Sequence, residues 1–402
     1  MRGDMKKRTF NRKMGSIAFL SFMIVLVFVF CARKTDLEKG IDAMKKGRYD
    51  KALKSLNSAF SKDSLNAQIH YNLGLVYAHL DSVQRFFHHY LKLIDLGSNL
   101  KDDMELKEIL ANFLHLEPYP SSPIPMRRYN QFKGAPSLDG ELIAVAAAKR
   151  DVANIYLVQL DGRIIKKITK TGMNNDPDFS PVGDHIVFVS DRDGDEDLHL
   201  YNVKTGETEK LIDNTADDFY PSYSPDGKEI VFVSNMDDIH NWEIYKVNVA
   251  NKKISRLTKN RYWDGFPKFT QDGKSIVFSS RRNGSEDIYI MNKNGGGEKV
   301  LYASPADEND PVQWNGKLYF KSDRDGEWEI YQLNLENNFL VRLTYNKYPD
   351  WNPRISRDGS KLYISRKIKK YWQLYFINLN QPIPTALITQ KINEKISSKT
   401  LN

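Results

Sequence analysis

One cysteine in 402 residues rules out an intrachain disulfide, because Cys31 has nothing to pair with. Net positive charge is scarce beyond the N-terminus. Of the net +8, residues 1–34 carry +7, so the rest of the chain is close to neutral. That argues against a nucleic-acid partner. Catalytic signatures are missing too. Neither a G-x-S-x-G nucleophile elbow nor an H-E-x-x-H zinc pair occurs, and the stretch after Thr389 leaves no room for a hydrolase domain. The run Asn294-Gly295-Gly296-Gly297 lies between two strand-like segments, where a glycine turn is expected rather than a phosphate loop. The expectation is a protein that is not an enzyme and holds no cofactor or metal. What the chain does contain is 41% hydrophobic and 12% aromatic residues, enough for a sizeable core, over a length that suggests two or three domains.

The long apolar run is Met14–Ala32, preceded by a basic cluster. Its 19 residues make about 28 Å of helix, enough to cross a bilayer core. A basic segment before an apolar one also reads as a secretory signal. The positive-inside rule sends everything after it across the membrane. Cys31, at the end of the run, resembles the acylated cysteine of bacterial lipoproteins. Phe30 departs from the small residue usual before that cysteine, so an uncleaved signal anchor stays open beside a lipid anchor. Residues 1–31 are thus expected to be a signal peptide or anchor. Either form places the chain in the cell envelope, membrane-anchored and facing the periplasm or exterior.

Residues 37–116 read as helical. Gly47, Tyr49, Ala52, Leu56 and Ala59 fall at helix-hairpin spacings, and Leu73, Gly74 and Tyr77 follow in the next helix. The pattern resembles tetratricopeptide repeats. Ser64 replaces the usual proline and Phe86 an expected alanine. The stretch 102–116 reads as a capping helix. A groove for a partner's peptide and a plain helical spacer are both open. His88 and His89 read as solvated helix surface. Residues 117–133 hold four prolines in EPYPSSPIPM and read as a linker.

From Gly134 to about residue 390 the chain repeats. Pro177, Pro221, Pro267, Pro311 and Pro353 are 44, 46, 44 and 42 residues apart. Each unit carries an Ile-Tyr-like pair, such as Ile244-Tyr245, and closes on a Leu-Thr-like pair, the last expected at Ile388-Thr389. Ser-Pro-Asp-Gly-Lys supplies a tight turn and Ile-Val-Phe-Val-Ser a doubly buried strand. Six units of four short strands make a six-bladed β-propeller. The phrase around Pro221, Ser224, Pro225, Asp226 and Gly227 resembles the propeller repeats of the TolB family. Blade one is the weakest match, blade four departs at Thr270-Gln271, and blade five is a residue short. The expected fold class is multidomain, α plus all-β: signal or lipid anchor, short tetratricopeptide-like α-helical domain, six-bladed propeller, then a polar tail over 391–402.

Asp191, Asp193, Asp195 and Asp197 alternate, but read as a solvated turn rather than a calcium loop. The connections into the blades are the better candidates. Asp176, Asp217, Asp218, Asp264, Asp307, Glu308, Asp310 and Asp350 interleave there with Tyr220, Trp263, Phe266, Tyr348 and Trp351. These are expected to form a protein-binding rim at one channel mouth. The TolB resemblance implies a non-enzymatic, membrane-anchored envelope scaffold, with outer-membrane or peptidoglycan-associated proteins as partners. A ligand or cation sensor at the same mouth is the alternative.

Overall fold

The computed structural model describes residues 34–183 and 185–399, divided into two units between Leu100 and Lys101. The expected signal or anchor, with Cys31, lies outside the described residues. Among those described, no helix is long and apolar enough to cross a membrane.

The first unit is helical: α1 Asp36–Lys45, α2 Tyr49–Phe60, α3 Ala67–His79 and α4 Val83–Asp95. Thr35 and Glu38 cap α1 reciprocally, satisfying amide groups the first turn leaves over. Ala52, Leu56 and Ala59 form the buried face of α2. A Cβ on Gly40 would lie 2.6 Å from Leu56 Cγ, so α1 and α2 meet at that glycine. His89 departs from expectation. It is buried, and its Nδ1 lies 2.8 Å from His70 Nδ1 while Tyr77 stacks on its ring. Burial, with His70 and His88 adding to it, pushes it down to about 4. His88 is exposed.

The second unit contains six antiparallel sheets of four strands. The innermost strands are Asn130–Pro136, Asn174–Phe179, Asp218–Tyr223, Asp264–Phe269, Glu308–Trp314 and Asp350–Ile355. The next strand of each blade, such as Glu229–Ser234, is buried on both faces after its first residue. One cluster shows why: Val187 and Leu200 of blade two pack with Phe232 and Tyr245 of blade three. The inner hairpin turns share one device. Ser224 Oγ donates to Asp226 Oδ1 (2.7 Å) and accepts from Glu229 N (3.0 Å). Thr270 and Asp272 reproduce it, so the departure in blade four keeps the turn. Blade five uses two residues, Asn315 and Gly316, both at positive φ, the geometry of a two-residue hairpin.

Three boundaries differ from those read in the sequence. Within the proline-rich segment, Ser121–Pro123 is a strand, paired with Tyr371–Asn378 as the outermost strand of blade six. The N-terminal side of the propeller therefore closes the ring. Prolines suit that place, because an edge strand has one row of amides facing no neighbour. Ile388 and Thr389 accordingly belong to a helix, α6 Thr385–Lys399, which includes most of the expected tail. Helix α5, Met104–Leu114, lies in the propeller unit rather than capping the repeats. Its buried Glu108 pairs with Lys317 (2.9 Å) and accepts from Gln332 Nε2 (2.8 Å) and Tyr119 Oη (2.5 Å).

Candidate functional site at the channel mouths

The innermost strands share a β-bulge. Pairing skips two residues at Asp176-Pro177, Tyr220-Pro221, Phe266-Pro267, Asp310-Pro311 and Asn352-Pro353. The skip leaves the proline no ladder bond to donate. The residue before each proline has φ between +49° and +56°. A left-handed conformation costs a non-glycine residue roughly 1–2 kcal/mol, and a following proline disfavours it further. Five blades keep this strain at one position, which is common at binding surfaces. Each of these side chains reaches a neighbouring blade. Asp176 pairs with Lys133 of blade one and accepts from Tyr220 N (3.3 Å) of blade three. Asp310 pairs with Arg354 of blade six (2.9 Å). Asn352 Nδ2 donates to Phe132 O (3.2 Å) of blade one.

Six of the expected rim acids are buried rather than displayed at the rim: Asp176 and Asp310 at the bulges, and four more within the blades. Asp218, Asp264, Glu308 and Asp350 are fully buried inside the blades. Each accepts from the loop that leaves the preceding blade: Asn214, Asn260, Ser304 and Asn346 respectively. Arg282, Arg324 and Arg366 complete three of them at 2.7–2.8 Å. They staple one blade to the next. Blade three has Met236 where blades two, four and five have Arg192, Arg282 and Arg324, and burial pushes Asp218 up to about 7. Asp217 and Asp307 are half-buried. Asp217 faces Glu196, and Asp307 accepts Glu286 N (2.9 Å). Asp197 of the acidic turn is buried as well, paired with Lys210 at 2.6 Å. Its burial is at odds with a fully solvated turn.

The aromatic residues do converge. At the mouth formed by the blade-to-blade connections, Tyr220 and Phe266 lie 4.4 Å apart, and Trp263 stands edge-on to Phe266 at 5.6 Å. A Cβ on Gly265 would fall 2.2 Å from the Trp263 ring, so glycine lets the indole lie on the backbone. Trp351 continues the arc to Trp372 (4.9 Å) and Trp328 (6.5 Å). Lys321 lies beneath it, with its ammonium 4.0 Å from Trp351, 4.6 Å from Trp328 and 5.6 Å from Phe266. Lys133 sits 4.3 Å from the Tyr220 ring. These rings are half-buried, and the buried Trp351 Nε1 has no hydrogen-bond partner among the described residues. Tyr348 is half-buried beside Lys347. Burial pushes Lys321 down to about 8. Burial acts to push Asp310 up, but Arg354, Lys268, Lys133 and Lys321 together hold it below the usual range.

The sequence reading missed Trp328, Trp372, Lys133 and Lys321. Lys321 carried a signal: it interrupts a strand phrase where other copies have Val189, Val233 or Ser279. It also missed the opposite mouth, among the inner hairpins, where a cavity of about 410 Å³ is lined by Asp178, Lys268 and Arg354.

The TolB beta propeller domain family matches residues 124–235 and 195–317, and the TPR repeat family matches residues 43–81. A TolB homologue from Chlorobium luteolum is 35% identical over 71 residues, 17% of this chain and 16% of that protein. The chain thus spans under a fifth of that relative. A gluconolactonase from Xanthomonas campestris has a similar fold, with TM-score 0.50 and 12% identity over 65% of this chain and 89% of that one. A TolB-type structure from Agrobacterium tumefaciens aligns with TM-score 0.49 and 19% identity over 64% of this chain and 90% of that one. The chain is a tetratricopeptide-like helical segment followed by a TolB-like six-bladed propeller.

Proposed function

We propose that the protein is a non-enzymatic, membrane-tethered adaptor of the cell envelope that grips a segment of a protein partner at the loop-side mouth. The observation that carries this is the aromatic arc Tyr220, Phe266, Trp263, Trp351, with Trp328 and Trp372 extending it. Rigid rings offer large contact area at little entropic cost, and such residues dominate binding energy at interfaces. The likeness to TolB supports an envelope setting, with outer-membrane or peptidoglycan-associated proteins as partners. The helical repeats provide a second surface. The sensor alternative has less support, because Asp176 and Asp310 are already neutralised by Lys133 and Arg354.

In-cell crosslinking with mass spectrometry tests the reading, comparing the full chain with one lacking residues 37–95. A partner captured by both places binding on the propeller. Capture lost on deletion assigns recruitment to the helices. No envelope protein captured by either would overturn the adaptor.

A further inference from the structure

The hairpin-side mouth is chemically unlike the aromatic one. Its cavity of about 410 Å³ falls in the range of small-molecule sites. Phe179, Tyr223, Phe269 and Trp314 give it apolar walls. Lys268, 5% exposed, lines it, and its ammonium has no ion pair or hydrogen bond among the described residues. Burial and Arg354 push Lys268 down to about 7 against the pull of Asp178 and Asp310, so an anion entering the cavity would hold the proton on its amine. Asp178 does not supply one directly. Its Oδ2 accepts Tyr223 N (2.9 Å), and burial pushes it up, toward the neutral form.

Arg354 also lines the cavity. It uses Nη1 for Asp310 Oδ1 (2.9 Å) and Pro353 O (2.8 Å), while Nε and Nη2 have no partner among the described residues. Three donors therefore stand unfilled around an apolar pocket. An acceptor-only group beside an apolar one fits that inventory.

We propose that this cavity binds a small carboxylate bearing an apolar side chain, free or as the C-terminal residue of a short peptide. Lys268 and the free edge of Arg354 take the carboxylate, and Phe269 and Trp314 take the side chain. The site is separate from the aromatic mouth, so its failure would leave the adaptor reading standing.

Isothermal titration of the full chain with N-acetyl-leucine and N-acetyl-phenylalanine, and with the amide of each, tests it. The acids are expected to bind below about 1 mM, and the amides at least about tenfold more weakly. Lys268→Met should weaken the acids by about tenfold or more. Tighter binding of Ala-Ala-Leu than of N-acetyl-leucine would identify peptide ends as the source. The reverse would identify a free carboxylate. Equal binding of acid and amide, no binding of either, or a Lys268→Met protein that binds as well as the native one would each overturn the proposal. The acid–amide comparison needs no variant, so it stands even if Lys268→Met fails to fold.

Discussion

Blade three lacks one arginine, and restoring it should stabilise the propeller. In blades four and five, Arg282 and Arg324 neutralise the buried staple acids Asp264 and Glu308. Met236 occupies that position beside Asp218. The local frame is already in place. Met236 N donates to Ser234 Oγ (3.2 Å), as Arg324 N does to Ser322 Oγ (3.3 Å). Arg324 lies over Phe320 and Tyr331, and blade three has Phe232 and Tyr245 to match. Burial raises Asp218 from 3.8 to about 7. The folded state therefore keeps a proton that the unfolded chain has lost, and this contribution to stability is lost as pH rises through about 7. Each pKa unit is worth about 1.4 kcal/mol, so reversing half the rise returns about 2 kcal/mol. Burying the guanidinium takes back part of that, leaving about 1 kcal/mol for Met236→Arg at pH 8. Urea unfolding at pH 5 and pH 8 measures it, and the gain should be larger at pH 8. A loss of stability at pH 8, or the same gain at both pH values, would refute the staple account.

Other predictions follow from single features. Gly265→Ala drives a methyl into the Trp263 ring, so tryptophan fluorescence should shift while circular dichroism stays native; an unchanged spectrum would remove Trp263 from its place on the backbone. Ile124 is fully buried just after the closing strand, so Ile124→Ala should cost about 3 kcal/mol in urea unfolding; a loss well under about 1 kcal/mol would show that the ring does not close there. Burial lowers Lys321 from 10.5 to about 8, so between those values the unfolded chain holds the extra proton and stability rises with pH. Lys321→Met should reduce that rise, by at most about 1.4 kcal/mol per pH unit. An unaltered pH profile would contradict the buried charge.

The propeller was legible because its information is local and repeated. A proline, a Ser-Pro-Asp-Gly turn and a β-branched run recur in register, and each is dictated by backbone chemistry within a dozen residues. Closure of the ring was not legible. Ser121–Pro123 pairs with residues some 250 positions away in the chain, and no local pattern encodes that partner. The rim was half legible. Its aromatics converge, yet its acids were misplaced because the bulge at each proline breaks the strand alternation and re-aims the side chain before it. A shift of two positions separates Asp310, which reaches Arg354 of the next blade, from Glu308, which staples the blades. Lys268 and Arg354 were overlooked because the position after each proline varies, from Asp178 and Ser222 to Lys268, Val312 and Arg354, and a repeat-based reading averages such positions away.

The central claim is that the loop-side mouth holds a protein partner. The most direct measurement places a photo-crosslinking residue at Arg261, exposed beside Trp263, and another at Leu138, exposed at the hairpin side. Both are irradiated in cells, with and without Trp351→Ala. The account predicts one envelope protein captured from Arg261, absent from Leu138, and lost with Trp351→Ala. Equal capture from both positions, or capture that survives the loss of Trp351, would contradict it.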